Sequence, residues 1–434
     1  MRYLFCLIFS CLIWNCGGRQ MNISNADWIN NQTIYEVNLR QYTSDGTISS
    51  FRKHLPRIKE MGFGILWFMP LHPIGEKNRK GELGSYYSVK DYFSINPEFG
   101  SDTEFKALVE EIHKMGMYVI IDWVANHTAC DNDMVFAHPE WYTKNKNGDF
   151  QPPQGTDWSD VYDLDYTNLE LRDYMIGAME FWVKEYDIDG FRCDVAGMVP
   201  TEFWESAVER LKSIKPIFML AEWEEPALLE KAFQADYNWS LYHILKDIAS
   251  SKKGAISIRD YYENPQKTYP KNALRMNFLD NHDENSWNRI MVKHFGDKVY
   301  PLSTMLFTLP GIPMIYSGQE ARLEEKLKFF EKDTIQWNNF PDGNFYKQLI
   351  SLRKKHPVFW SNNTTLEFMD GLPEGVVGFK RWNKNNTYFV LLNLSNQLQK
   401  IDSGLISGNL IINDENSSIH SLANNGYFIT KSLN

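Results

Sequence analysis

Cysteine is scarce in this chain: five among 434 residues, with no C-x-x-C pair. Cys6, Cys11 and Cys16 sit in the first stretch, so only Cys130 and Cys193 belong to the part expected to fold. That excludes a disulfide-stapled scaffold and a thiolate metal site, and His-rich tracts are missing too. For Cys130 and Cys193, a bridge and two buried thiols both remain open. Positive charge is in deficit, 45 Lys and Arg against 55 Asp and Glu for a net −10, which argues against a nucleic-acid partner. The apolar stretch Tyr3 to Trp14 is too short to span a bilayer as a mature helix. No internal repeat or low-complexity segment interrupts the chain.

Aromatic residues, by contrast, are plentiful: 14 Trp, 22 Tyr and 27 Phe, most of them expected in the core, with any surplus suited to stacking on flat ligand faces. Length and an ordinary balance of 43% hydrophobic and 23% charged residues allow one large barrel plus a small extra domain. Residues 1–20 stand apart. A positive start, a short apolar stretch and Cys16-Gly17-Gly18 resemble a bacterial lipoprotein signal, which implies export and a lipid anchor at Cys16. Simple secretion is the alternative, and Trp14 and Asn15 depart from the small residues usual before such a cysteine.

Apolar runs of about four or five residues recur along the chain: Ile34–Val37, Ile65–Met69, Tyr118–Ile121, Ile217–Leu220, Met276–Leu279 and Pro313–Tyr316. Continuous runs of this kind read as parallel strands buried on both faces. Between them lie helical stripes, such as Phe105, Leu108, Val109, Ile112 and Met115 after a cap at Asp102, and a helix opened by Thr167-Asn168-Leu169-Glu170. The alternation predicts an α/β fold, a (β/α)8 barrel over residues 27–356, although no segment stands out as its sixth strand. A long polar and aromatic insertion, 128–166, follows the third strand and overhangs the carboxyl end of the barrel. From 357 to 434 the texture is antiparallel β, with a hairpin turning at Asn383 to Asn386.

Ionisable residues cluster where these strands end. They are Tyr87, Asp122 to His127, Arg192 with Asp194, Glu222, and His282 with Asp283. Polar residues at the carboxyl ends of several strands are the catalytic layout of a (β/α)8 barrel. Asp194 and Glu222 end adjacent strands, about 4.8 Å apart, so their carboxyl groups can approach the about 5 to 5.5 Å of a retaining glycosidase. Asp194 then serves as nucleophile and Glu222 as acid and base, for which its proton affinity must be raised. Arg192, two residues before Asp194, shares its strand face and holds the nucleophile ionised. Asp283, His127 and His282 can clamp sugar hydroxyls, and Tyr87 can stack beneath the ring.

The segments Asp122-Trp-Val-Ala-Asn-His127, Gly190-Phe-Arg-Cys-Asp194, Leu220-Ala-Glu222 and Phe278-Leu-Asp-Asn-His-Asp283 resemble, in order, the α-amylase family of retaining glycoside hydrolases, family 13. The resemblance covers about Ile34 to His356. It implies Asp194 as nucleophile, Glu222 as acid/base and Asp283 as transition-state stabiliser. It further implies that Tyr87, His127, Arg192 and His282 line the subsite of the attacked sugar, with Asp122 supporting Arg192. The insertion resembles the family's domain B and the tail its antiparallel β-sandwich domain C. Calcium is common in the family, and Asn126, Asp163 and Asp165 fall where ligands come. These are two or three oxygens against the about six to eight of a full site, so calcium stays open. The family's usual Lys-His after the nucleophile is replaced here by Val195-Ala196-Gly197-Met198.

The resemblance implies an α-glucan as partner and hydrolysis of α-1,4 bonds in starch-type glucans or maltooligosaccharides. Asp163-Leu-Asp165 is similar to α-amylases, whereas Val195 resembles relatives that cleave α-1,6 bonds. An oligo-1,6-glucosidase, a cyclomaltodextrinase-like enzyme, a transglycosylase and a non-catalytic glucan-binding protein are the alternatives, the last disfavoured by the presence of all three carboxylates.

Overall fold

The computed structural model describes residues 27–433 apart from Asn338 and Asn362, so the expected signal segment and Cys16 lie outside the described residues. Eight parallel strands close into a barrel. They are β1 Ile34–Val37, β2 Ile65–Phe68, β3 Tyr118–Trp123, β4 Gly190–Cys193, β5 Phe218–Ala221, β6 Ala235–Tyr237, β7 Leu274–Asn277 and β8 Ile312–Tyr316. Each pairs with its sequence neighbours, and β8 returns to β1 through Ile34 opposite Met314. The barrel strands are buried almost throughout, as their unbroken apolar runs require.

Several local expectations are corrected. The sixth strand is Ala235–Tyr237, only three residues with Asp236 at its centre, too short and too polar to announce itself. The seventh begins at Leu274 and ends at Asn277, earlier than the apolar run suggests. Helix Asp102–Lys114 is capped by Ser101, whose hydroxyl accepts the Glu104 amide while Glu104 reaches back, with Asp102 inside the first turn. Helix Leu169–Tyr186 is capped by Asn168, not Thr167, because the Asn168 side chain reaches the amides of Glu170 and Leu171. Cys130 and Cys193 are both free and buried, so the bridge is not formed.

Strand alternation divides the packing. Tyr35, Leu66, Phe68, Val119, Ile121 and Met219 meet the surrounding helices, while Ile34, Trp67, Ile120, Phe218 and Leu220 belong to a second cluster. Arg192 approaches Trp67 and Tyr237 and pairs with Asp122, so a charged layer lies above that second, apolar one at the carboxyl end. The insertion after β3 carries a small antiparallel ribbon, His127–Ala129 against Val161–Asp163.

Residues beyond the helix Gly343–Lys355 form a five-stranded antiparallel sheet in the order Thr365–Phe368, Val376–Trp382, Asn386–Asn393, Tyr427–Leu433, Asn409–Asn413. One face, with Phe379, Val390 and Ile429, joins the barrel's Leu302 and Met305. The other, with Leu391 and Phe428, is covered by Ile401 and Leu422 beside a two-stranded ribbon. The sandwich is therefore lopsided: its second layer is only that ribbon.

Candidate active site

The barrel register builds the site. Cys193 pairs with Ala221, so Asp194 and Glu222 emerge side by side, one residue past their strands. Ile120 pairs with Gly190 and Asp122 with Arg192, which sets a carboxylate against the guanidinium. Arg192 is fully buried and is the hub. Its Nη1 lies 2.8 Å from Asp122 Oδ1 and 3.0 Å from Asp194 Oδ1, and its Nη2 lies 2.8 Å from Glu222 Oε1. Its Nε donates to the Tyr237 hydroxyl at 3.1 Å. One cation thus ion-pairs with both carboxylates of the expected pair, hydrogen-bonding Asp194 through Nη1.

Glu222 is held on its second oxygen as well, by the amide of Val195 at 2.8 Å. Val195 also takes a left-handed conformation, φ +37°, which a β-branched residue enters only at a cost of about 1–3 kcal/mol. Strain of this kind gathers at functional sites. Gly197 follows, and a Cβ there would collide with the Trp223 indole at 2.2 Å, so Trp223 fills the space beside the nucleophile's loop.

A second chain of contacts runs through His282. Its Nδ1 is 2.5 Å from Glu36 Oε1, its Nε2 is 2.7 Å from the Tyr87 hydroxyl, and Asp283 lies 3.5 Å beyond. Tyr87 also donates to Asp122 Oδ2 at 3.1 Å, which joins the two chains. The carboxylates beside it raise His282 to about 9 against the opposing effect of burial. His127 faces no such carboxylate, and burial lowers it to about 4, so it is neutral and packs on Trp158 with ring centres 5.2 Å apart.

Burial pushes Asp194 well above the ordinary carboxylate range, with Glu222 adding to the push and Arg192 opposing it. Asp122 goes up to about 6, again through burial.

The site opens into a cavity of about 430 Å³ lined by Tyr87, His127, Asp194, Glu222 and Asp283, with Val195, Trp158, Trp287, Phe329 and Phe330 as apolar walls. Asp283 is the most exposed of the three acids, its side chain 36% open. All the sequence-predicted residues but the metal set therefore converge. Glu36, Tyr237 and the aromatic walls had not been foreseen. A lone glutamate inside the apolar run of β1 was the one available signal for Glu36, and the unrecognised sixth strand hid Tyr237.

The residues expected for calcium each make a local hydrogen bond. The Asn126 amide faces the His127 ring, Asp163 accepts the Thr143 hydroxyl at 2.8 Å, and Asp165 accepts the amide and hydroxyl of Thr167. Among the described residues, no three His, Cys, Asp or Glu side chains form a group that could hold a metal ion.

Comparison with known proteins agrees with this architecture. A maltogenic α-amylase of Bacillus acidopullulyticus is 27% identical over 393 residues, 81% of this chain and 63% of that one. An α-amylase of Haloarcula japonica is 24% identical over 390 residues, 85% of this chain but 56% of its own length, so the chain spans little more than half of that relative. Among solved structures, a noncanonic maltogenic α-amylase from Thermotoga neapolitana superposes with a TM-score of 0.81 at 33% identity, covering 93% of this chain and 97% of that one. An α-amylase from Lactobacillus plantarum gives a TM-score of 0.82 at 29% identity, covering 93% and 99%. Residues 21–158 and 134–373 match the family described as α-amylase, catalytic domain, and the chain belongs to that family.

Proposed function

We propose that this protein is a retaining hydrolase that cleaves α-1,4-glucosidic bonds of starch-type glucans or maltooligosaccharides. One observation carries the reading: a single buried guanidinium grips Asp194 and Glu222 at the ends of neighbouring strands. Strand spacing of about 4.8 Å suits the retaining separation of about 5 to 5.5 Å and leaves no room for the water an inverting enzyme interposes. Asp194 attacks the anomeric carbon, and Glu222 gives its proton to the departing oxygen. Glu222 then takes a proton from the water that frees the sugar from Asp194. Asp283, across the cavity, meets the charge of the oxocarbenium-like transition state.

For the first step Glu222 must present a proton to the leaving oxygen, and the Val195 amide and Arg192 hold its carboxyl group in place. The names of the matched relatives, α-amylase and maltogenic α-amylase, support an α-glucan substrate. A second reading, cyclomaltodextrin ring opening by the same chemistry, is supported by a Geobacillus thermopakistaniensis cyclomaltodextrinase 25% identical over 388 residues.

The test is product analysis on maltoheptaose, panose, pullulan and a cyclomaltodextrin, with the anomer of the first product read by NMR. Release of α-anomers from maltoheptaose is the expected outcome, and initial β-anomers overturn the retaining mechanism. Asp194→Asn should lower turnover by about 10⁴-fold or more with the fold intact. Near-normal hydrolysis by that variant would remove Asp194 from its role.

A further inference from the structure

The segment 76–84, which follows β2, does not lie loose beside the cavity. It crosses from the insertion to the loop after β8 and is fastened at both ends. On the insertion side, the Glu76 amide donates to Asp131 at 3.0 Å and the Asn78 amide group to the Ser159 carbonyl at 3.2 Å. Lys80, itself part of the cavity wall, pairs with Asp160 at 3.1 Å. On the far side, the Leu83 amide donates to the Phe330 carbonyl at 2.9 Å and the Glu82 amide to Glu331 at 3.2 Å. Buried Arg40 ties down the carbonyls of Leu83 and Gly84 from beneath.

The crossing is close. Gly81 has φ +63°, and a Cβ there would stand 2.5 Å from the Phe330 Cβ, so only glycine lets the two loops touch. Phe330 in turn packs on Trp287, ring centres 5.4 Å apart, and extends the wall to the loop after β7.

Direction around the barrel gives the strap its meaning. It spans from β2 to β8, over β1, and β5 lies diametrically opposite in the closed eight-strand order. Glu222 follows β5. The acid must stand beside the departing oxygen, so the leaving portion of the glucan exits over β4 and β5, where Trp223 remains 38% exposed. The strap therefore stands at the other end, beyond the sugar that becomes attached to Asp194. A cavity of about 430 Å³ is at the small end of ligand pockets, roughly 300–1,000 Å³.

We infer that the strap 76–84 makes this enzyme exo-acting: it receives only the free non-reducing end of an α-glucan and releases a fixed short product. This rests on the glycosidase reading above. The experiment compares maltoheptaose labelled with a fluorophore at its reducing end with the same compound carrying an ethylidene block at its non-reducing end. The wild type should cleave the free-ended substrate at least about 100-fold faster than the blocked one, with one product length dominant from the first turnover. Cleavage of both within about threefold overturns the strap's role while the hydrolase reading stands. Cleavage of neither overturns both. Gly81→Val, which wedges the strap from Phe330, and Lys80→Ala, which unties it from Asp160 without a new clash, should each raise the blocked-to-free ratio by about tenfold. An unchanged ratio in both variants, with discrimination intact in the wild type, shows that another element blocks the end and overturns the inference.

Discussion

Two of the places where this molecule buries arginine use it differently. At the mouth of the barrel Arg192 meets Asp122, Asp194 and Glu222. Under the C-terminal sheet Arg353 and Arg381 meet mainly carbonyls. Arg353 donates to Phe359, Asn30 and Gly311, and Arg381 to Thr308, Val358 and the Thr364 hydroxyl. Proton affinity follows the surroundings: the carboxylates raise it at Arg192, and burial without a counter-charge lowers it at the other two. A guanidinium among carboxylates gathers three acids at the mouth of the cavity. A guanidinium among carbonyls simply closes the ends of helices and strands that would otherwise lack donors.

The sharpest way to break this contrast is to remove each cation. Arg192→Met should cost about 10³-fold or more in kcat/KM, since it unlocks both carboxylates together. Arg192→Lys should rescue little, because a single ammonium cannot reach Asp122, Asp194 and Glu222 as the forked guanidinium does. Arg381→Met should instead lower unfolding free energy by about 3 kcal/mol in a urea titration, with kcat within about twofold of the wild type. If Arg381→Met loses activity while keeping its stability, the division of labour is wrong.

Titration sharpens the comparison on a smaller scale. The buried acids of the mouth are raised, Asp122 to about 6, so the native state holds protons that the unfolded chain has already lost. Stability conferred there therefore declines as pH rises from the ordinary carboxylate range through about 6, whereas activity rises over the same interval. His282 is raised to about 9, so its contribution is complete below its ordinary value near 6.5 and is lost as pH rises through about 9. We expect kcat/KM to be bell-shaped, with limbs near these values, and His282→Gln to flatten the alkaline limb. A profile unchanged by that substitution would separate His282 from the reacting centre. The smallest effect belongs to Trp158→Ala, which uncovers His127 and should raise KM about three- to tenfold with kcat nearly kept.

How legible the mouth was depended on distance along the chain. Asp122, Arg192, Asp194 and Glu222 follow short apolar runs, and a run that reads as a strand carries its end with it. Tyr237 stayed hidden because β6 is three residues long with Asp236 in the middle, held by Arg275 through a contact that hydropathy does not register. The candidate calcium oxygens were placed by likeness alone, and two of them, on Asp163 and Asp165, accept hydrogen bonds from nearby threonines whose reach the sequence does not advertise. The strap was invisible for a different reason. Gly81 and Phe330 are some 250 positions apart, and nothing in either neighbourhood names the other. The lopsided second layer of the C-terminal domain, two residues per strand, was likewise below the length at which alternation can be read.

The two free thiols offer a use of their own. Cys193 lies within β4, and Cys130 sits where the insertion leaves the barrel, near Asn78 and the Ser159 carbonyl. Neither is reachable by a bulky alkylating reagent until something opens. Timed alkylation, read peptide by peptide in a mass spectrometer, would clock the insertion and the barrel separately without any introduced probe.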